Sequence, residues 1–125
     1  MSDSYAVLPV NSAVRTWTIS EGHKVPESNG RPISLQELKD IVASLPQVSA
    51  VWSPGPQFRD GTLKSIEGWE TTVIVGNPGS ETEPCEFHLK GGESEFIETI
   101  VRAIVALAGP HVIYAHSGGF MQVIN

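Results

Sequence analysis

Two stretches of the chain carry apolar residues at helical spacing, and each runs directly into a β-prone segment. Leu35, Leu38, Ile41, Val42 and Leu45 form the first stripe, recurring every three or four positions. Ser34-Leu35-Gln36-Glu37 stands before it as a capping box, in which the serine hydroxyl accepts the Glu37 backbone N–H and Glu37 reaches back. Pro46 removes a donor and stops the pattern. This predicts a helix over 34–46 and then a strand over Val48–Trp52. The second stripe is Phe96, Ile97, Ile100, Val101, Ile104, Leu107 and Ala108, with Glu95, Glu98, Thr99 and Arg102 on the polar side. Glu93 and Glu95 suit the positive end of the helix dipole, and Gly109-Pro110 ends the run. A helix over 93–109 and a strand over His111–His116 follow. Segments 35–53 and 96–117 therefore read as two copies of one helix-then-strand unit.

The remaining pattern is mostly strand and turn. Met1–Val14, interrupted by Pro9, reads as an arm or edge strand, and Arg15–Ile19 as a strand rich in β-branched and aromatic residues. Residues 21–32, full of Gly, Pro, Ser and Asn, read as a loop. Residues 53–68 read as a long loop or hairpin excursion with a turn at Asp60-Gly61. Trp69–Val75 is a strand, closed by turn residues and an acidic hairpin loop, Ser80–Glu83. Cys85–Lys90 alternates, with Cys85, Phe87 and Leu89 on one face and Glu86, His88 and Lys90 on the other. The last strand, Phe120–Ile124, is joined to His111–His116 by a tight turn at Ser117-Gly118-Gly119. The expected fold is α+β: an antiparallel or mixed sheet of five to six strands, with both helices (34–46 and 93–109) packed on one face. A ferredoxin-like or related split β-α-β arrangement is the leading topology. The alternative is a more curved sheet around helix 93–109, with helix 34–46 peripheral.

Composition narrows the class. The 125 residues, 40% hydrophobic and 18% charged, suit a single α+β domain over 1–125 with a core that needs no disulfide or metal. No apolar run reaches the ~20 residues of a membrane span, and MSDSYAVLPV lacks the basic start of a signal peptide. A single Cys85 closes no internal disulfide, so a cytoplasmic setting is expected. The net charge is −6, and residues 63–125 hold eight acids against three bases. Such a field repels nucleic acid and favours a basic protein partner.

No motif supplies an assembled chemistry. Ala115-His116-Ser117-Gly118-Gly119 is similar to the nucleophile elbow of α/β-hydrolases, but only six residues follow Gly119, and they read as a strand without a later His or Asp. His23, His88, His111 and His116 show no metal-ligand spacing, although His88 and His116 can meet if their strands pair in register. At Gly91-Gly92 the following Glu93 and Glu95 repel any second anion. Catalytic residues, metal ligands and cofactors are therefore assigned to none.

What is left is surface. The acidic hairpin carrying Glu81, Glu83 and Glu86, together with His88 on the wet strand face, is the expected partner-binding surface, with Trp69 as an aromatic anchor. The expected function is a small acidic protein-binding domain that masks a basic partner, in the manner of bacterial immunity or inhibitor proteins. The alternative is a small-molecule-binding module or enzyme with a pocket near His88, His116 and Ser117. A third reading is a homo-oligomer formed through a self-complementary outer sheet face.

Overall fold

A computed structural model of the chain describes residues 4–52, 61–76, 82–116 and 121–125. Along the chain the described elements are β1 (Ser4–Pro9), α1 (Ser12–Ser20), α2 (Leu35–Ala43), β2 (Val48–Trp52), β3 (Gly61–Ser65), β4 (Glu70–Gly76), β5 (Glu86–Lys90), α3 (Ser94–Ala108), β6 (His111–Ala115) and β7 (Met121–Ile124). All seven strands join one sheet in the order β2-β3-β4-β5-β1-β6-β7, and every neighbouring pair is antiparallel. The fold is α+β, as expected. With β1 antiparallel to both neighbours, β5 and β6 run parallel, and α3 crosses over from one to the other.

Helices α2 and α3 lie together on one face, which bears out that part of the expectation. Leu38, Ile41 and Val42 of α2 and Phe96, Ile97, Ile100, Val101 and Ile104 of α3 bury against Leu63, Val73, Phe87, Leu89, Val7 and Ile113 of the sheet. The capping box forms as read: Glu37 N donates to Ser34 Oγ at 3.1 Å, and Ser34 N donates to Glu37 Oε1 at 3.1 Å. At the β2 edge, Trp52 lies opposite Gly61, where an added Cβ would stand 2.3 Å from the indole ring. The absent side chain lets the ring rest on the backbone. Lys39 Nζ sits 5.5 Å from the centre of that ring, so α2 also clasps the edge strand through a cation–π contact.

Three expectations are corrected. Arg15–Ile19 is not a strand but part of helix α1. Asn11 Oδ1 accepts the Val14 N–H at 2.9 Å and caps it, and Val14, Trp17 and Thr18 recur at helical spacing on the buried side. Packing overrides the local β preference. Secondly, the N-terminal segment is not an edge: β1 sits inside the sheet between β5 and β6. Pro9 is tolerated because the pairing with β5 runs only over Ser4–Val7, leaving no donor missing on that side. Thirdly, the described strands number seven rather than five or six, since β3 forms within 53–68, the segment expected as a loop or a hairpin excursion, and pairs back on β2. The described helices number three rather than two. The additional helix, α1, takes the face opposite α2 and α3. Strand β6 sends Ile113 to the main core while Val112 and Tyr114 join Val10, Val14 and Trp17 in a second, smaller cluster. The turns at Asp60 and at Ser117-Gly118-Gly119 lie outside the described residues.

The 21–32 loop is tethered along its length. The Arg15 guanidinium donates to the carbonyls of Pro26, Glu27 and Ser28 and to Asn29 Oδ1 at 2.6–3.2 Å. Gly30 N donates to the Val10 carbonyl at 2.9 Å, and Arg31 N to the Ala108 carbonyl at 2.8 Å. No helix among the described residues is long and apolar enough to cross a membrane.

Two substitutions test this packing. Ser34→Ala removes the cap and is expected to cost about 1 kcal/mol in urea unfolding. Gly30→Ala places a Cβ 2.1 Å from the Pro110 carbonyl oxygen, and the forced shift is expected to cost about 1–3 kcal/mol in the same measurement.

Candidate functional site

Helix α1 covers only the β1–β6–β7 end of its face, and among the described residues the same face of β2–β5 is left open. The register writes its content as two cross-strand rows. One runs Val51, Thr62, Thr72, Lys90, Ser4. The other runs Ile74, His88, Ala6, Tyr114. Val51 is 75% exposed and Ile74 40%, unusual for large apolar side chains on a strand face. Lys64 and Glu70 make an exposed cross-strand ion pair at 3.9 Å beside them.

Four rings cross this face in contact. Trp17 meets Tyr114 edge-on with centroids 5.3 Å apart, Tyr114 meets His116 edge-on at 5.6 Å, and His116 lies 5.3 Å from His88. Nε2 of His116 and Nδ1 of His88 stand 3.4 Å apart. His88 and His116 thus meet, because β5 and β6 flank the same strand and the intervening position is Ala6, too small to separate the rings. His116 is held by its backbone N–H, which donates to the Ser4 carbonyl at 3.0 Å.

The expected partner-binding residues divide between two faces. Glu86 and His88 lie on the open face, two residues apart along β5, with Glu86 exposed and His88 half-buried. Glu83 is exposed just before them. Glu81 lies outside the described residues. Trp69 does not join this group: it is half-buried on the helix side, packed against the main core, and borders a shallow cleft with Phe96 and Thr99. Its neighbour Glu70 takes the open side, and the strand alternation fixes Trp69 to the other. Val51 and Ile74 belong to the open face, while Ala6 and Tyr114 lie at its border with the part that α1 covers; the sequence pattern singles out none of the four. Only the register, with β1 inserted between β5 and β6, brings them together.

The groups with catalytic potential are dispersed. Burial pushes the Cys85 thiol up, against a smaller opposing effect of the Leu35 backbone, so the group stays a protonated thiol. Its Sγ lies 3.7 Å from the Ile33 carbonyl, which accepts the S–H. Cys85 and Glu86 border a cleft of 430 Å³ with Leu8, Pro9, Val14 and Pro32. His111 is buried at the start of β6, where its Nδ1–H donates to the Gly109 carbonyl at 2.8 Å. Among the described residues no three His, Cys, Asp or Glu side chains cluster as metal ligands. Ser117 lies outside the described residues.

His111 sets a pH dependence of stability. Burial is the largest influence and pushes its imidazole below the ordinary value of 6.5; the Gly109 carbonyl opposes this and Arg31 adds to it. The folded chain then binds fewer protons than the unfolded chain, so the His111 contribution is full above about pH 6.5 and is lost as pH falls toward the depressed value. Urea midpoints measured between about pH 7.5 and 5.5 should fall in the native chain, and His111→Asn should flatten that fall. No protein-family model, curated protein or solved structure matches the chain.

Proposed function

We propose that this chain is a small acidic protein-binding domain, of the bacterial immunity or inhibitor type, that masks a basic partner with its open sheet face. The observation that carries the reading is the one-sided covering of the sheet: among the described residues no helix covers this face of β2–β5, which bears exposed Val51 and Ile74. Glu83 and Glu86 rim that face, and the net charge of −6 gives the approach a direction. His88 and Tyr114 add flat, amphipathic contact area of the kind that anchors interfaces. In this reading the chain acts as one cytoplasmic domain over 1–125. The β5–α3–β6 crossover around β1 is its split β-α-β kernel, related to the ferredoxin-like arrangement and widened by β2, β3, β4 and β7.

A second reading, a small-molecule-binding module near His88 and His116, has the contact between those two rings in its favour. The 430 Å³ cleft beside Glu86 is lined by Cys85, Leu8, Pro9, Val14 and Pro32 and includes neither histidine, so it adds nothing to this second reading.

The test is kinetic. A basic protein retained by the native chain on an affinity column is purified, and its association is followed by stopped flow at low and high salt. The double variant Glu83→Lys, Glu86→Lys is expected to slow association about tenfold at low salt and to flatten the salt dependence. Equal rates for native and variant chains discard the masking role assigned to this face.

A further inference from the structure

We infer that His88 and His116 together form a binding site for a divalent transition-metal cation of the zinc or nickel kind. The inference is independent of the partner-binding reading and begins with the separation of the facing nitrogens. Nδ1 of His88 and Nε2 of His116 are 3.4 Å apart. Protein N–H hydrogen bonds centre near 2.9–3.0 Å and rarely exceed about 3.2 Å, so this spacing is long for one ring donating to the other. It is the right bite for chelation. Two imidazole nitrogens each about 2.0–2.1 Å from a tetrahedral ion stand about 3.3–3.4 Å from each other.

The frame that holds the nitrogens is built before any ion arrives. His88 is fixed in the ladder between Ile74 and Ala6. His116 is fixed by the bond from its backbone to Ser4 and by the edge of Tyr114. A larger residue at position 6 would stand between the rings. Because the frame is a paired sheet, little freedom is lost when the ion binds.

The donor set selects the ion. Neutral imidazole favours zinc, nickel and copper over the hard cations, which seek oxygen. With both facing nitrogens presenting lone pairs, the ring protons reside on Nε2 of His88 and Nδ1 of His116. Two protein donors are fewer than a closed structural zinc site uses. The remaining coordination positions therefore face outward from the open sheet face, for water or a donor from another molecule.

The sequence shows no metal signature here because 28 residues separate the two histidines. The strand that joins their rows comes from the other end of the chain.

The experiment is calorimetric titration of the untagged full chain with zinc chloride, repeated with nickel chloride. The variants are His88→Ala, His116→Ala and, as a control, His23→Ala in the exposed loop. One ion per chain is expected. Each of the first two changes should weaken binding about a hundredfold, since a chelate collapses to a single ligand, and the control should leave binding unchanged. Thermal unfolding without metal checks that the variants fold. Proton NMR with nickel supplies a second readout: the His88 and His116 ring signals should broaden before those of His23. Equal affinity of native chain and single variants, or broadening spread evenly over the histidines, overturns the site.

Discussion

Backbone hydrogen bonds along β1 join two otherwise separate pieces of sheet. On one side is the meander β2-β3-β4-β5, in which each strand pairs with the next in the chain. On the other is the β6-β7 hairpin. β1 pairs with β5 over Ser4–Val7 and with β6 over Tyr5–Pro9, so six residues complete a seven-stranded sheet. The main core depends on this seam, because α3 packs across it, with Phe87 and Leu89 beneath one end and Ile113 beneath the other. The open face depends on it equally, since Ala6 is the spacer over which the rings of β5 and β6 meet.

The elements that could be read from sequence were those whose own residues close their bonds. In α2 the serine cap, the reciprocal glutamate and the apolar stripe all lie within twelve residues, and the helix forms over Leu35–Ala43 inside the expected 34–46. In α3 a broad apolar face and Gly109 are similarly local, and Ser94–Ala108 matches the expected 93–109 to one residue at each end. β5 alternates as its pattern demands, with Phe87 and Leu89 buried between exposed Glu86 and Lys90. Where the deciding contacts are distant, the reading failed. Val14-Arg15-Thr16-Trp17-Thr18-Ile19 has the composition of a strand. It is helical because Trp17 finds Tyr114 and Val14 finds Val112 on a face that only the assembled sheet presents. β1 looked peripheral because Pro9 suggests an edge, yet its partners lie at the far end of the chain.

The same distinction governs the site. The side of the sheet that Glu86 takes is legible because the alternation of β5 is visible locally; Glu83 lies before that strand. Trp69, expected as an exposed aromatic anchor, packs on the helix side, because one position of strand alternation decides its face and Glu70 occupies the open one. The meeting of His88 and His116 needed two registers at once, which no local pattern encodes. Most of the open face is suited to water: Thr62, Lys64, Glu70 and Lys90 are all exposed. Against that background Val51 and Ile74 stand out, since a polar strand face needs no large aliphatic groups for solubility.

The position of β1 also bears on how the chain reaches its native state. Its partners lie roughly 80 to 110 residues downstream, so a large entropy of loop closure precedes the seam. The meander, built from neighbouring strands, can assemble while the chain is still emerging from the ribosome. β1 has no partner strand until the residues of β5 have been made. β1 therefore joins the sheet only after β5 has been made, and until then the β5 edge is exposed to pairing with another molecule.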